Sequence, residues 1–164
     1  MRSIAKQLQT IGAAILAASC GGTPTGPTAG PTTGQPAAAV QITSNPSTIL
    51  YAVCPSSHCG PLLGQLEIEA SLTIRETGGV AITATRLGLT IRRRSDNAAI
   101  AANDVLANAT PLRIAANGST VVPIAMHFDA SAAEANMKVV VVFEGSDANG
   151  RPVTFSTEVE IRAP

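Results

Sequence analysis

Aromatic residues are scarce in this chain. Its 164 residues include four, Tyr51, Phe128, Phe143 and Phe155, and no tryptophan. So few rings cannot build a platform for stacking bases or sugars. Charge is thin as well: only 13 % of residues are charged, and the formal net charge is 0. No bulk positive field exists to hold nucleic acid. No apolar run approaches the ~18 residues that a membrane-spanning helix needs. There are 2 histidines, little material for acid–base catalysis. No serine stands in a nucleophile elbow, and no glycine-rich phosphate loop leads from a strand into a helix. These absences point away from an enzyme and leave no catalytic residue to name. The 3 cysteines are an odd number, so at least one needs its own explanation.

What is present looks at first very apolar. Hydrophobic residues make up 45 % of the chain and mean hydropathy is +0.25. The figure is inflated by 28 alanines; Leu, Ile, Val and Phe together number 39. That suffices for one core, and the length suits one domain.

The first 19 residues read as a targeting segment. Arg2 and Lys6 are the only charges before Glu67. A short apolar stretch, Ile11–Ala18, follows, then Ser19 and Cys20. A basic start, a brief apolar stretch and small residues make a secretory signal. The alternative is an amphipathic first helix of the folded part. Residues 21–39, GGTPTGPTAGPTTGQPAAA, hold neither a charge nor a large apolar side chain. Such a segment has too little apolar surface to offset its chain entropy, so residues 20–39 are expected to form a disordered tether. As a coil, it reaches roughly 25 Å.

Leu16-Ala17-Ala18-Ser19-Cys20 resembles the lipobox of bacterial lipoproteins. The resemblance implies that Cys20 carries a diacylglycerol, with the signal cut just before it and the new amino terminus acylated. Several acyl chains anchor stably where one does not. Gly21 in place of an aspartate after that cysteine implies the outer membrane as destination. Simple secretion or a periplasmic location, after cleavage near Ala18, is the competing expectation.

Residues 40–164 are expected to fold, and beyond residue 19 the chain carries 9 basic and 11 acidic residues. Period-2 alternation dominates. In Gln65–Arg75 the side chains of Leu66, Ile68, Ala70, Leu72 and Ile74 share one face. The polar residues between them share the other, as in a half-buried antiparallel strand. Thr77-Gly78-Gly79 supplies a turn. In the next strand Val80, Ile82 and Ala84 have one phase and Leu87, Leu89 and Ile91 the opposite one. That slip near Thr85-Arg86 predicts a bulge. Ser95–Thr110 reads as a crossing loop with one short edge strand. Leu112–Ala115 and Thr120–Phe128 flank Asn117-Gly118, a hairpin-type turn. Ala130–Ala135 suits a single helical turn. Met137–Glu144 is apolar on both faces and is predicted to be central, and Val153–Ile161 closes the domain. Val40–Thr43 and Thr48–Val53 read as one strand split at Asn45-Pro46.

This rhythm predicts an all-β domain, an antiparallel two-sheet sandwich of seven to eight strands. Segments such as Ile74–Gly79 and Asn117–Pro123 resemble the immunoglobulin-like or fibronectin III-like modules of bacterial surface and periplasmic lipoproteins. A small closed barrel is the structural alternative.

Cys54-Pro55-Ser56-Ser57-His58-Cys59 holds the other two cysteines. Export places them in an oxidising compartment, where a disulfide is the expected state. A metal site from Cys54, His58, Cys59 and His127 is the alternative, but the spacing matches no zinc pattern. Redox-active pairs favour a Cys-x-x-Cys spacing. No metal or other cofactor is expected. Arg92, Arg93 and Arg94 form the one basic cluster, a candidate anion-binding patch that Arg86 and Arg113 would extend. Paired with Asp96 or a nearby glutamate, the same three make an ordinary solvated strand end. Glu67, Glu69, Glu158 and Glu160 alternate outward and would repel if their strands were neighbours.

The expected function is therefore a membrane-anchored, non-catalytic envelope lipoprotein. Its sandwich would bind or brace another envelope protein or polymer, with no nucleic-acid partner. The alternative is a small-ligand, metal-binding or inhibitor module acting through the Cys54–Cys59 loop.

Overall fold

A computed structural model describes residues 36–55, 59 and 64–164. The targeting segment 1–19, Cys20, most of the tether and His58 lie outside these residues. The described part is all-β, with nine strands and one short 3-10 turn. β1 (Val40–Asn45) and β2 (Thr48–Val53) are the two halves of the split first strand. β3 (Gln65–Glu76) and β4 (Ile82–Arg93) are the long alternating strands. β5 (Ala99–Asp104) and β6 (Leu112–Ile114) are short. β7 (Ser119–Asp129) leads into the 3-10 turn Ala130–Ala132. β8 (Asn136–Asp147) and β9 (Pro152–Arg162) end the chain.

The pairings fall into two groups. β3 has β7 along one edge and, along the other, β1 followed by the second half of β2. β8 lies between β4 and β9, and β4 carries β6 and β5 on its far edge. β2 joins the groups. Its residues Thr48–Leu50 pair with β9, and Tyr51–Val53 pair with β3.

The β2–β9 pairing is parallel, so the sheet is mixed and the purely antiparallel expectation is corrected. Alternation along a strand reports which face is buried and is silent on the direction of the neighbour. A pairing of only three residues, Thr48–Leu50 with Glu160–Arg162, leaves no local sequence signature. The strands among the described residues likewise number nine, not seven to eight. Pro46 has no N–H for a ladder, so the split strand counts as two.

The bulge lies where the phase slips. The β4–β8 register shifts between Ala84 and Arg86, so Ile82, Ala84, Leu87, Leu89 and Ile91 are all buried. β8 is central as its two apolar faces require, and Met137, Val139, Val141 and Phe143 have no exposed surface. One cluster of buried side chains draws on both groups, from Ile68, Leu72 and Ile74 on β3 to Val141 and Phe143 on β8. Tyr51 and Phe128 meet edge to face at 5.9 Å.

Asn117-Gly118 does not close a hairpin. β6 pairs with β4 and β7 with β3, so the turn carries the chain from one group to the other. Asn117 adopts positive φ, as the turn residues suggested. What fastens the turn is Glu76, described below.

Candidate functional site

The two cysteines are joined. Cys54 follows β2 and bonds Cys59 with a Cα–Cα distance of 6.0 Å. The Cys54 N–H donates to the Gln65 carbonyl at 3.0 Å, which ties the loop to the start of β3. Two residues further along β3 is Glu67, and His127 stands directly opposite it on β7. His127 Nε2 lies 3.5 Å from Glu67 Oε2. The same carboxylate oxygen is 3.3 Å from Cys54 Sγ. Glu67 is largely covered, with 11 % of its side chain exposed, whereas His127 keeps 40 %. Alternation along β3 marks Glu67 as an outward residue and says nothing of a partner. The cross-strand pairing of Glu67 and His127 is what brings them to the disulfide, and only knowledge of the β3–β7 register would have revealed it. An acid thus stands beside His127. Both sulfurs, however, are closed in a disulfide, so neither offers a nucleophile in this state.

The arginines divide. Arg92 Nη1 donates to the Asn97 carbonyl at 2.7 Å. Arg93 forks onto Asp96 at 3.2 and 2.6 Å, with Glu134 at 3.8 Å. The charge of Arg94 acts on Glu158. Arg86 sits about 20 Å away along the same strand at the strand rise per residue, paired with Glu144 at 3.0 Å and Asp104 at 3.7 Å. Arg113 lies opposite Thr83, at the Arg86 end of β4. The five arginines therefore do not gather into one patch. Nor do the glutamates repel: β3 and β9 are not neighbours, Glu158 pairs with Lys138 at 2.7 Å and Glu160 with Arg162 at 3.0 Å.

Two buried carboxylates organise the turns. Glu76 has no exposed surface. Its Oε1 accepts from the N–H groups of Gly78 at 2.6 Å and Ala39 at 3.2 Å. Its Oε2 accepts from Asn117 at 2.7 Å and Gly79 at 3.0 Å. Burial pushes its pKa up, but the backbone N–H groups of Asn117, Ala39, Gly78 and Val80 more than offset this, and the carboxyl sits below its ordinary value. Asp147 does the same at the β8–β9 turn, accepting from the N–H groups of Asn149 at 2.8 Å and Arg151 at 3.0 Å. Its other oxygen meets Arg151 Nε at 2.8 Å. Burial again raises and these bonds lower, leaving its pKa depressed. Residues 36–39 lie against the domain: Ala39 N–H donates to Glu76, Arg151 Nη2 to the Pro36 carbonyl, and Thr77 N–H to the Ala39 carbonyl. The sequence signal was a carboxylate at the mouth of a glycine turn, in Glu76-Thr77-Gly78-Gly79 and Asp147-Ala148-Asn149-Gly150.

One depression among the described residues is wide and open. Asn45 and Pro46, Glu69 and Ser71 of β3, and Pro123 and Ala125 of β7 line it. It holds no cluster of catalytic groups.

No sequence-family description and no curated protein matches the chain. Solved structures resemble it in fold. The X-ray structure of the structural-genomics target SoR45 superposes with a TM-score of 0.54 at 11 % identity, over 77 % of this chain and 87 % of that one. A Bordetella pertussis protein assigned as ApaA gives 0.54 at 12 %, over 79 % and 95 %. At such identities the likeness is one of fold, and it establishes the chain as an all-β domain of a shape that other proteins share.

Proposed function

We propose that this protein is a lipid-anchored component of the bacterial cell envelope whose folded domain is a non-catalytic binding or bracing module. The observation that carries the reading is the order of parts. A lipobox-like Leu16–Cys20 precedes a charge-free tether, and a compact all-β domain follows. Acylated Cys20 holds the protein in the outer membrane, the tether lifts the domain from the bilayer, and strand edges and loops meet a neighbouring envelope protein or polymer. We also read the domain as an immunoglobulin-like two-sheet sandwich, with β1, β3 and β7 in one layer and β5, β4, β8 and β9 in the other. β2 crosses between layers. The two pairing groups and their shared apolar cluster support that reading.

Labelling cells with palmitate tests the anchor. The full chain is expected to take up label and to fractionate with membranes. Cys20→Ala is expected to lose both. An unlabelled, soluble wild type would overturn the anchor. Capture from crosslinked envelopes then identifies the neighbour, and absence of any product above the Cys20→Ala control would count against the binding role. Methyl contacts between β3 and β8 in solution are expected of two facing sheets, and their absence would refute the sandwich.

A further inference from the structure

Four side chains that a binding or bracing role does not use meet beside the start of β3. The ligand atoms of Cys54, Cys59 and His127 all lie within 4.8 Å of one another. Glu67 Oε2 lies 3.3 Å from Cys54 Sγ and 3.5 Å from His127 Nε2. The first of these distances is informative. A sulfur in a disulfide carries no hydrogen, so a carboxylate oxygen against it gains no hydrogen bond. The same approach becomes a hydrogen bond once Cys54 is a thiol. The carboxylate therefore gains a hydrogen bond when the pair is reduced and protonated.

We propose that opening the Cys54–Cys59 disulfide turns this corner into a site for a thiophilic divalent cation such as Zn²⁺. The thiolates of Cys54 and Cys59 and the imidazole of His127 are its ligands. Glu67, whose Oε2 is 3.5 Å from His127 Nε2, adds negative charge that attracts the cation. Reduction comes first: a dithiol gives two electrons and two protons to the S–S bond, leaving two thiols here and a disulfide in the donor. The cation then displaces the two thiol protons, forming two metal–sulfur bonds. Tetrahedral zinc, with Zn–S near 2.3 Å and Zn–N near 2.0 Å, sets ligand atoms about 3.5–3.8 Å apart. The three atoms here are within side-chain rotation of that spacing. The Cα atoms stand 6.0 Å apart, and the Cys54 end is tied to β3 through the Gln65 carbonyl. Three protein ligands leave a fourth position for water or a small anionic ligand, the pattern of an open zinc site. Neighbours that orient a ligand typically affect metal affinity about 10–100-fold. The disulfide acts as the lock: oxidised, the protein has no thiolates to offer. His127 comes from a strand 68 residues beyond Cys59, which is why Cys-x4-Cys spacing alone suggests no metal.

The test uses the full chain with Cys20→Ser, so that Cys54 and Cys59 are its only thiols. A water-soluble phosphine reduces the pair, taking an oxygen from water, and circular dichroism checks that the strands persist. Co²⁺ and then Zn²⁺ are titrated into oxidised and reduced protein. The reduced form is expected to bind one Co²⁺ with thiolate charge-transfer absorption, which Zn²⁺ abolishes by displacement. The oxidised form is expected to show neither. His127→Ala, at an exposed position, is expected to weaken binding at least about tenfold, and Glu67→Gln to weaken it less. The proposal is overturned if folded, reduced protein takes up no metal, if both redox states take up the same amount, or if His127→Ala binds as wild type does. None of these outcomes bears on the lipid anchor.

Discussion

Replacing Glu76 by glutamine changes one atom of the side chain and leaves its volume almost untouched. In the native protein each carboxylate oxygen accepts two backbone N–H groups, Ala39 and Gly78 on one, Gly79 and Asn117 on the other. Whichever oxygen becomes an NH₂, two of the four donors then face a donor. A buried donor left without an acceptor costs about 1–3 kcal/mol. Ala39, Gly79 and Asn117 are surface residues, so water recovers part of this, and a loss of about 2–4 kcal/mol is expected. That is a large share of the ~5–15 kcal/mol that holds a domain folded. Urea unfolding at neutral pH measures it, with exposed Glu69→Gln as the control for charge alone. The pH dependence separates this account from a generic packing defect. A carboxyl whose pKa is lowered on folding adds stability above its unfolded value, about 4.3. The contribution disappears as the pH falls through the lower folded value. Wild type should therefore approach Glu76→Gln in acid, since glutamine does not titrate. A difference under about 0.5 kcal/mol at neutral pH, or one that stays constant through the acid range, would refute the reasoning.

Three further outcomes are expected. Gly145→Ala places a Cβ 2.3 Å from the Thr83 carbonyl oxygen and 2.9 Å from the Ala84 Cα. Both are backbone atoms beside the β4 bulge, so the strand must shift, at a cost of about 1–3 kcal/mol in thermal unfolding; an unchanged midpoint would show that the bulge yields freely. Phe143→Ala empties a fully buried site on the central strand and should cost about 3–5 kcal/mol. A loss below about 1 kcal/mol would mean that the core collapses around it. Reducing Cys54–Cys59 opens only a six-residue ring, so unfolding free energy should fall by about 2 kcal/mol while the far-ultraviolet circular dichroism is retained; global unfolding on reduction would show that the disulfide supports more than its loop.

Much of the strand inventory was legible because burial on one face leaves a period of two. The alternation in Gln65–Arg75 gave β3, and Ile68, Leu72 and Ile74 are almost fully buried. The phase slip at Thr85-Arg86 gave the bulge, because an extra residue is the cheapest way to keep both halves of a strand facing inward. The doubly apolar Met137–Glu144 gave the central strand. Pairing was less legible. Asn117-Gly118 has the composition of a hairpin turn, yet it links strands that never pair. Its conformation is local, but its destination is set by a carboxylate 41 residues earlier.

Position along the chain by itself determined the strands, their buried faces, the bulge and the expectation that Cys54 and Cys59 would join. The strands, faces and bulge depend on neighbours within a few residues, and the disulfide on the export signal at the start of the chain. Only the tertiary structure decided which strands meet and in which direction. Parallel contact of β2 with β9, the burial of Glu76 under four distant or turn N–H groups, and the arrival of Glu67 and His127 beside the disulfide all depend on register between segments far apart in sequence. A residue's type fixes what chemistry it can perform. The pairing of strands fixes which other residue it performs it with, and that choice is made by the packing of the whole core.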